Sequence, residues 1–182
     1  MAGGMGDMAP YPDLAHASRA EAAQARQLWH GTLSAASHRF PRWSAAWRAG
    51  YTSLGLHPRH PVIYHLRNRA YERDGATLDP RRPEALVYWL PRHGSPVLVG
   101  FMYRAPANRR PQFGGRILAY HRHMKDGHMG ATQMTHVWLT HDLRSAYARC
   151  LPVEALERAI PAFHYVQTAR PASHESAPCE EM

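Results

Sequence analysis

An α+β fold is predicted, with N-terminal helices packed on a four- to five-stranded, mainly antiparallel sheet or partial barrel. Three observations predict it. The longest run of apolar residues at helical spacing lies in the first third of the chain. Short β-branched and aromatic runs separated by turn residues follow it. At 182 residues and 45% apolar composition, the chain has material for one well-filled core.

Ser18 followed by Glu21 forms a capping box, and Ala25, Trp29, Leu33, Ala36 and Phe40 then recur at helical spacing as one buried stripe. The first helix is expected over 19 to about 39. Pro41 ends it, and 42–49 reads as a shorter helix closed by Gly50. Strands are expected at 62–66, 85–90, 96–104, 117–123 and 134–140. The Arg92-His93-Gly94-Ser95 stretch supplies the turn of one hairpin, and Asp126-Gly127-His128-Met129-Gly130 connects the last two strands. Residues 143–150 read as a helix, and Pro152 with Glu154 and Glu157 as the start of another. The organisation is a flexible arm over 1–17, a single domain over 18–165 and a loose tail over 166–182.

Composition narrows the function. No stretch approaches the roughly 20 apolar residues a membrane-spanning helix needs, and the N-terminus carries no basic segment followed by an apolar run, so a cytoplasmic protein is expected. Lys125 is the only lysine among 22 Lys and Arg. The net charge of +8 therefore rests almost wholly on arginine, and no segment interleaves arginines with aromatics as a nucleic-acid stacking platform requires. Cys150 and Cys179 are too few for a disulfide framework and lack CxxC spacing. Histidine is the excess that carries information, with 14 in the chain.

His121 and His123 stand two apart in a strand candidate, which sends both imidazoles to one face. In the next candidate His136 shares a face with Met134, Trp138 and Thr140. Pairing of these two segments would bring three imidazoles together, leaving an open position on a bound ion. His65 is the first choice for a fourth ligand and Glu84 the second, while a salt bridge from Glu84 to Arg81 or Arg82 is the plainer reading of that carboxylate. His128 is within reach of the cluster but expected to face solvent. Zinc or copper suits such a set better than magnesium. Met102, Met124, Met129 and Met134 add thioethers near the cluster in sequence, although core filling is their commoner role. In an enzyme, Glu84 would serve as base and Tyr120, Tyr64 or Tyr103 as proton donor to a small-molecule substrate. A metal storage, carrier or sensor protein and a metal-free interaction module are the competing classes. An edge strand in so small a sheet could also pair with a second copy as a homodimer.

Residues 115–123 resemble the opening of the first cupin motif, with a glycine ahead of His121-Arg122-His123, but the following glutamate and the second histidine motif are missing. A broader ordered set comprises Tyr64-His65, Leu78-Asp79-Pro80 with Arg82-Pro83-Glu84-Ala85-Leu86-Val87-Tyr88, Tyr120-His121-Arg122-His123 and Met134-Thr135-His136-Val137-Trp138. Over roughly 45–140 this is similar to an uncharacterised group of actinobacterial proteins, often exported, with YH, LDPxRPExLVY, WHxH and MxHVW segments. The resemblance implies no particular reaction. It singles out His65, Glu84, His121, His123 and His136.

Overall fold

The computed structural model describes residues 11–53, 62–91, 93–106, 115, 117–118, 120–121, 124–125, 128–129, 132–148 and 153–163. Helix α1 (Arg19–Arg39) begins at the expected capping box, with the Ser18 side chain taking the Glu21 N–H and the Glu21 carboxylate taking the Ser18 N–H. Its buried face is Ala25, Leu28, Thr32, Ala35 and Ala36, one position away from the stripe that an apolar count selects. The shift has a polar cause. Thr32 is fully buried because its hydroxyl meets the Tyr103 hydroxyl at 2.8 Å, whereas Trp29 sits at the flank and donates its indole N–H to the Thr140 carbonyl at 3.2 Å. The short helix α2 (Trp43–Arg48) follows and ends at Gly50, whose φ of 85° is the left-handed conformation glycine accommodates.

Four strands form an open antiparallel sheet in the order β1-β2-β3-β6: β1 (Val62–Arg67), β2 (Ala85–Leu90), β3 (Val97–Pro106) and β6 (Thr132–Trp138). Between β3 and β6 in sequence, β4 (Met124–Lys125) and β5 (His128–Met129) make a separate two-stranded ribbon. The expected strand over 117–123 is not continuous. Ile117 and Leu118 form a bend, and among the described residues of this segment His121 alone joins the sheet, through an antiparallel bridge to Met134. Two buried aliphatics at that bend, drawn into the core, have taken the place of a ladder. Among the described residues the sheet is open and does not close into a barrel.

Beyond β6, α3 (Leu143–Ala146) is shorter than expected and is capped by Asp142, which accepts from the Ser145 N–H at 2.9 Å. Helix α4 (Val153–Ala159) follows. Residues 166–182 of the expected tail lie outside the described set. Within 11–17, Leu14 and Ala17 pack on the main core, and the Arg144 guanidinium lies 4.3 Å from the Tyr11 ring centre.

Both faces of the sheet are covered. On one, α1 packs its buried residues against Leu66, Leu86, Tyr88, Phe101, Tyr103 and Val137. On the other, Leu156, Phe163 and Ala148 cover Ile63, Val87, Trp89, Val99 and Trp138. Every residue of β2 is buried, the pattern of a strand enclosed on both sides. Gly100 of β3 lies opposite Trp138, and a Cβ there would stand 3.0 Å from Trp138 Cε3 and 3.1 Å from the Val137 carbonyl oxygen. Glycine lets that indole lie against the β3 backbone, where its N–H reaches the Ala148 carbonyl at 2.8 Å. Gly100→Val should therefore cost about 1–3 kcal/mol in urea unfolding, as overpacking of a filled core does.

Candidate functional site

Side-chain alternation along the strands assigns each sequence candidate to one of the two faces. His65 follows Ile63 onto the face away from α1, and His136 accompanies Trp138 there. The two histidines come from strands separated by β2 and β3, yet their Nε2 atoms are 3.3 Å apart. Their ring centres are 5.5 Å apart at an interplanar angle of 57°. His121, placed beside β6 by its bridge to Met134, stacks on His136 with centres 5.2 Å apart and an angle of 22°. Trp138 stacks on the same ring at 5.1 Å. His136 is thus the hub of the cluster and only 3% exposed.

Three of the four expected histidines, His65, His121 and His136, are therefore brought together. His123, the other half of the expected pair, lies outside the described residues, and so do the side chains of Met124, His128 and Met129. Among the described residues no group of three or more His, Cys, Asp or Glu has the arrangement needed to hold a metal ion. The described geometry that fits a shared ion is the His65–His136 pair. Two imidazole nitrogens bound to one tetrahedral ion at about 2.0–2.1 Å stand about 3.3–3.4 Å apart. A direct N–H···N hydrogen bond spans a similar distance.

Met102 is the register partner of His136 and is buried with the second core, and Met134 packs on that core beside the His121 bridge. The same face carries Arg67 and Arg104. Arg67 donates from Nε to Glu72 Oε1 and from Nη2 to Glu72 Oε2 at 2.7 Å, and Arg104 Nη1 reaches Glu72 Oε1 at 2.7 Å. Burial works to raise the Glu72 pKa, but the hydrogen bonds and charges of the two guanidiniums outweigh it and hold this carboxyl below its usual range.

Glu84 and Tyr120 occupy the opposite side. Glu84 lies in the bend immediately ahead of Ala85, and alternation carried back one residue from β2 would put its side chain on the α1 face with Leu86 and Tyr88. Its electrostatic neighbours agree with that placement, because Tyr51, Tyr103 and Tyr120 all feel its charge. The sheet thus separates Glu84 and Tyr120 from His65 and His136. Tyr103 likewise faces α1, where its hydroxyl is engaged by Thr32. Nor does Glu84 pair with Arg81 or Arg82. Those guanidiniums bind Asp79, Arg82 also meets Asp74, and Asp79 is held down at about 2 because its arginine hydrogen bonds overcome the effect of burial.

Glu84 is 3% exposed, and burial pushes its carboxyl up to about 8. Backbone N–H groups of Glu84 and Arg104 pull the other way, Asp74 adds to the rise, and the Arg104 charge opposes it. Glu84 Oε2 and the Tyr120 hydroxyl are both buried without a hydrogen-bond partner among the described residues. Burial also raises the Tyr120 phenol, with the Glu84 charge second. At neutral pH the folded protein consequently holds Glu84 as a neutral acid able to donate its proton. The sequence offered no sign of this, since Arg81 and Arg82 nearby suggest an ordinary ion pair.

Family models, curated proteins and solved structures yield no match to the chain.

The Glu84 proton has a consequence for stability. Between the ordinary carboxyl value of 4.5 and about 8, the unfolded chain loses this proton while the folded chain keeps it. Folded protein then binds more protons, so stability falls as pH rises through that window, by at most about 1.4 kcal/mol per pH unit, and levels off above it. Urea unfolding of the native chain from pH 5 to 9 should show this decline, and Glu84→Gln should flatten it. An unchanged slope in the variant would reject the assignment.

Proposed function

We propose that the chain is a metalloprotein that binds one transition-metal ion, zinc or copper, on the histidine face of its sheet. His65 and His136 are the first two ligands; the described residues hold no preformed set of three, so the third would come from His123, or from His121 turned out of its stack on His136. The observation that carries this reading is the 3.3 Å separation of the two Nε2 atoms, reached from strands that are not neighbours. Two neutral imidazoles gain little from such an approach in a buried place unless a proton or a cation lies between them.

Further support comes from what surrounds the pair. Met102 and Met134 sit on the same face, which gives a soft cation thioether neighbours and favours copper(I) over harder ions. Stacking of His136 between His121 and Trp138 fixes the orientation of its ring. The resemblance to the actinobacterial group singles out these histidines independently of their geometry. With three imidazoles in place, the fourth position would remain for water or a substrate, and a bound water would become acidic enough to supply hydroxide near neutral pH. Glu84 and Tyr120 have no direct path to that position through the sheet. A hydrolytic role would instead use the bound water itself, and a storage or carrier role would need no base.

Metal analysis after purification without a histidine tag tests the reading. Native protein should carry close to one equivalent of zinc or copper. His136→Ala and His65→Ala should each lower apparent affinity at least tenfold, while His93→Ala, at an exposed turn position, should leave it unchanged. Binding should also weaken on acidification toward pH 5, because imidazole ligates only in its neutral form. Equal metal content in the His136 and His93 variants would defeat the assignment and leave the pair as a hydrogen bond.

A further inference from the structure

The histidine face carries a second constellation that metal binding does not use. Arg67 lies two residues beyond His65 on β1, so both side chains rise from one face. Arg104 lies two residues beyond Met102 on β3, and Met102 is the register partner of His136. That makes Arg104 a diagonal neighbour of His136 and the direct partner of Met134, to which His121 is bridged.

Glu72 holds these two guanidiniums in unequal ways. Arg67 presents its Nε and Nη2 edge, the two-pronged edge that matches a carboxylate, and both prongs are taken. Arg104 meets the same carboxylate through Nη1, 2.7 Å from Oε1. Its Nε is buried and has no acceptor among the described residues. The edge best suited to an anion is therefore desolvated and unfilled at Nε. Two cations share one anion, so this group of three keeps a net positive charge. The remainder of the two side chains is partly exposed, Arg67 at 27% and Arg104 at 22%, so a small anion would approach from that exposed part and displace what covers the buried Nε.

We propose that Arg104, steadied by Glu72 and Arg67, is the anion-binding residue of this face and holds a carboxylate or phosphate group of a small ligand beside the histidines. The proposal rests on the metal reading for what happens next to the anion, but not for the anion site itself. A small oxyanion would accept from Arg104 Nε and Nη2 together, satisfying the buried Nε–H and offsetting the surplus charge. Where the ion is present, the bound group would lie toward its open position. The substrate class is then a small acid or phosphate ester, with the anionic group gripped by arginine and the neighbouring atoms turned to the metal.

Calorimetric titration of the full chain with inorganic phosphate and with acetate, metal-loaded and metal-free, tests the proposal and shows which oxyanion is preferred. One of the two anions should bind. Arg104→Gln should weaken it at least tenfold while metal content stays at the native level. Glu72→Gln should tighten it severalfold, because both guanidiniums lose their counter-charge. A role confined to structure would not produce these opposite changes. Should Arg104→Gln prove unfolded, the Glu72→Gln result decides alone. If native protein holds metal but neither anion binds, or if Glu72→Gln fails to tighten binding, the anion site is overturned and the metal reading stands. If no metal binds but Arg104-dependent anion binding persists, the metal reading fails and the anion site stands.

Discussion

Enclosure of the sheet on both faces is the constraint from which the rest of the structure follows. Because α1 covers one side and the C-terminal segment covers much of the other, consecutive residues on a strand enter two different interiors. His65 and Leu66 part company this way, as do Tyr103 and Arg104, and Glu84 with Ala85 at the entry to β2. The result is a division of chemistry: phenols and a neutral carboxylic acid beneath the helix, imidazoles and guanidiniums across the sheet. A one-residue slip of β1 would turn His65 and Arg67 to the other face and strand a charge in the helix-side core.

Polar groups placed so deeply must find partners, and the partners come from remote parts of the chain. The Tyr147 hydroxyl donates to the Ala25 carbonyl at 2.8 Å and the Tyr51 hydroxyl to the Pro83 carbonyl at 2.8 Å. Thr32 meets Tyr103, and Trp138 meets Ala148. Each bond contributes only about 1 kcal/mol net, but leaving a group unsatisfied costs about 1–3 kcal/mol, so these contacts select one packing among many apolar alternatives. Pro80 works in the same direction through shape. It lies so close to Gly31 that a Cβ there would come within 2.8 Å of its ring, which locks the Leu78-Asp79-Pro80 loop against α1.

Local signals in the sequence reach as far as local structure does. The capping box set the start of α1, and the apolar run at 85–90 coincides with β2, because both depend on near neighbours. The 117–123 segment was misleading, since its β-prone residues can fill a core from a bend as well as from a strand. His65, His121 and His136 were legible as a group because same-face spacing is a property of strands. Glu72 was not, as its two arginine partners lie 5 and 32 positions away and only the sheet register unites them. The face taken by Glu84 was equally hidden, because it depends on where β2 begins.

The meeting of His65 and His136 places a demand on the sheet itself. They stand on strands three spacings apart, roughly 14 Å in a flat sheet at about 4.8 Å per spacing. Ring nitrogens 3.3 Å apart across that span require the sheet to coil toward the histidine face and the intervening side chains to stay low. The strands between carry features that serve both conditions. The β2–β3 register shifts between Val87 and Tyr88, the kind of irregularity that sharpens local twist. Ala85 and Gly100 bring little or no side chain to this face, leaving Val87 and Met102 as its floor. The residues that permit the contact are therefore small apolar ones on the two central strands, and any chemistry at the histidines depends on them as firmly as on the imidazoles.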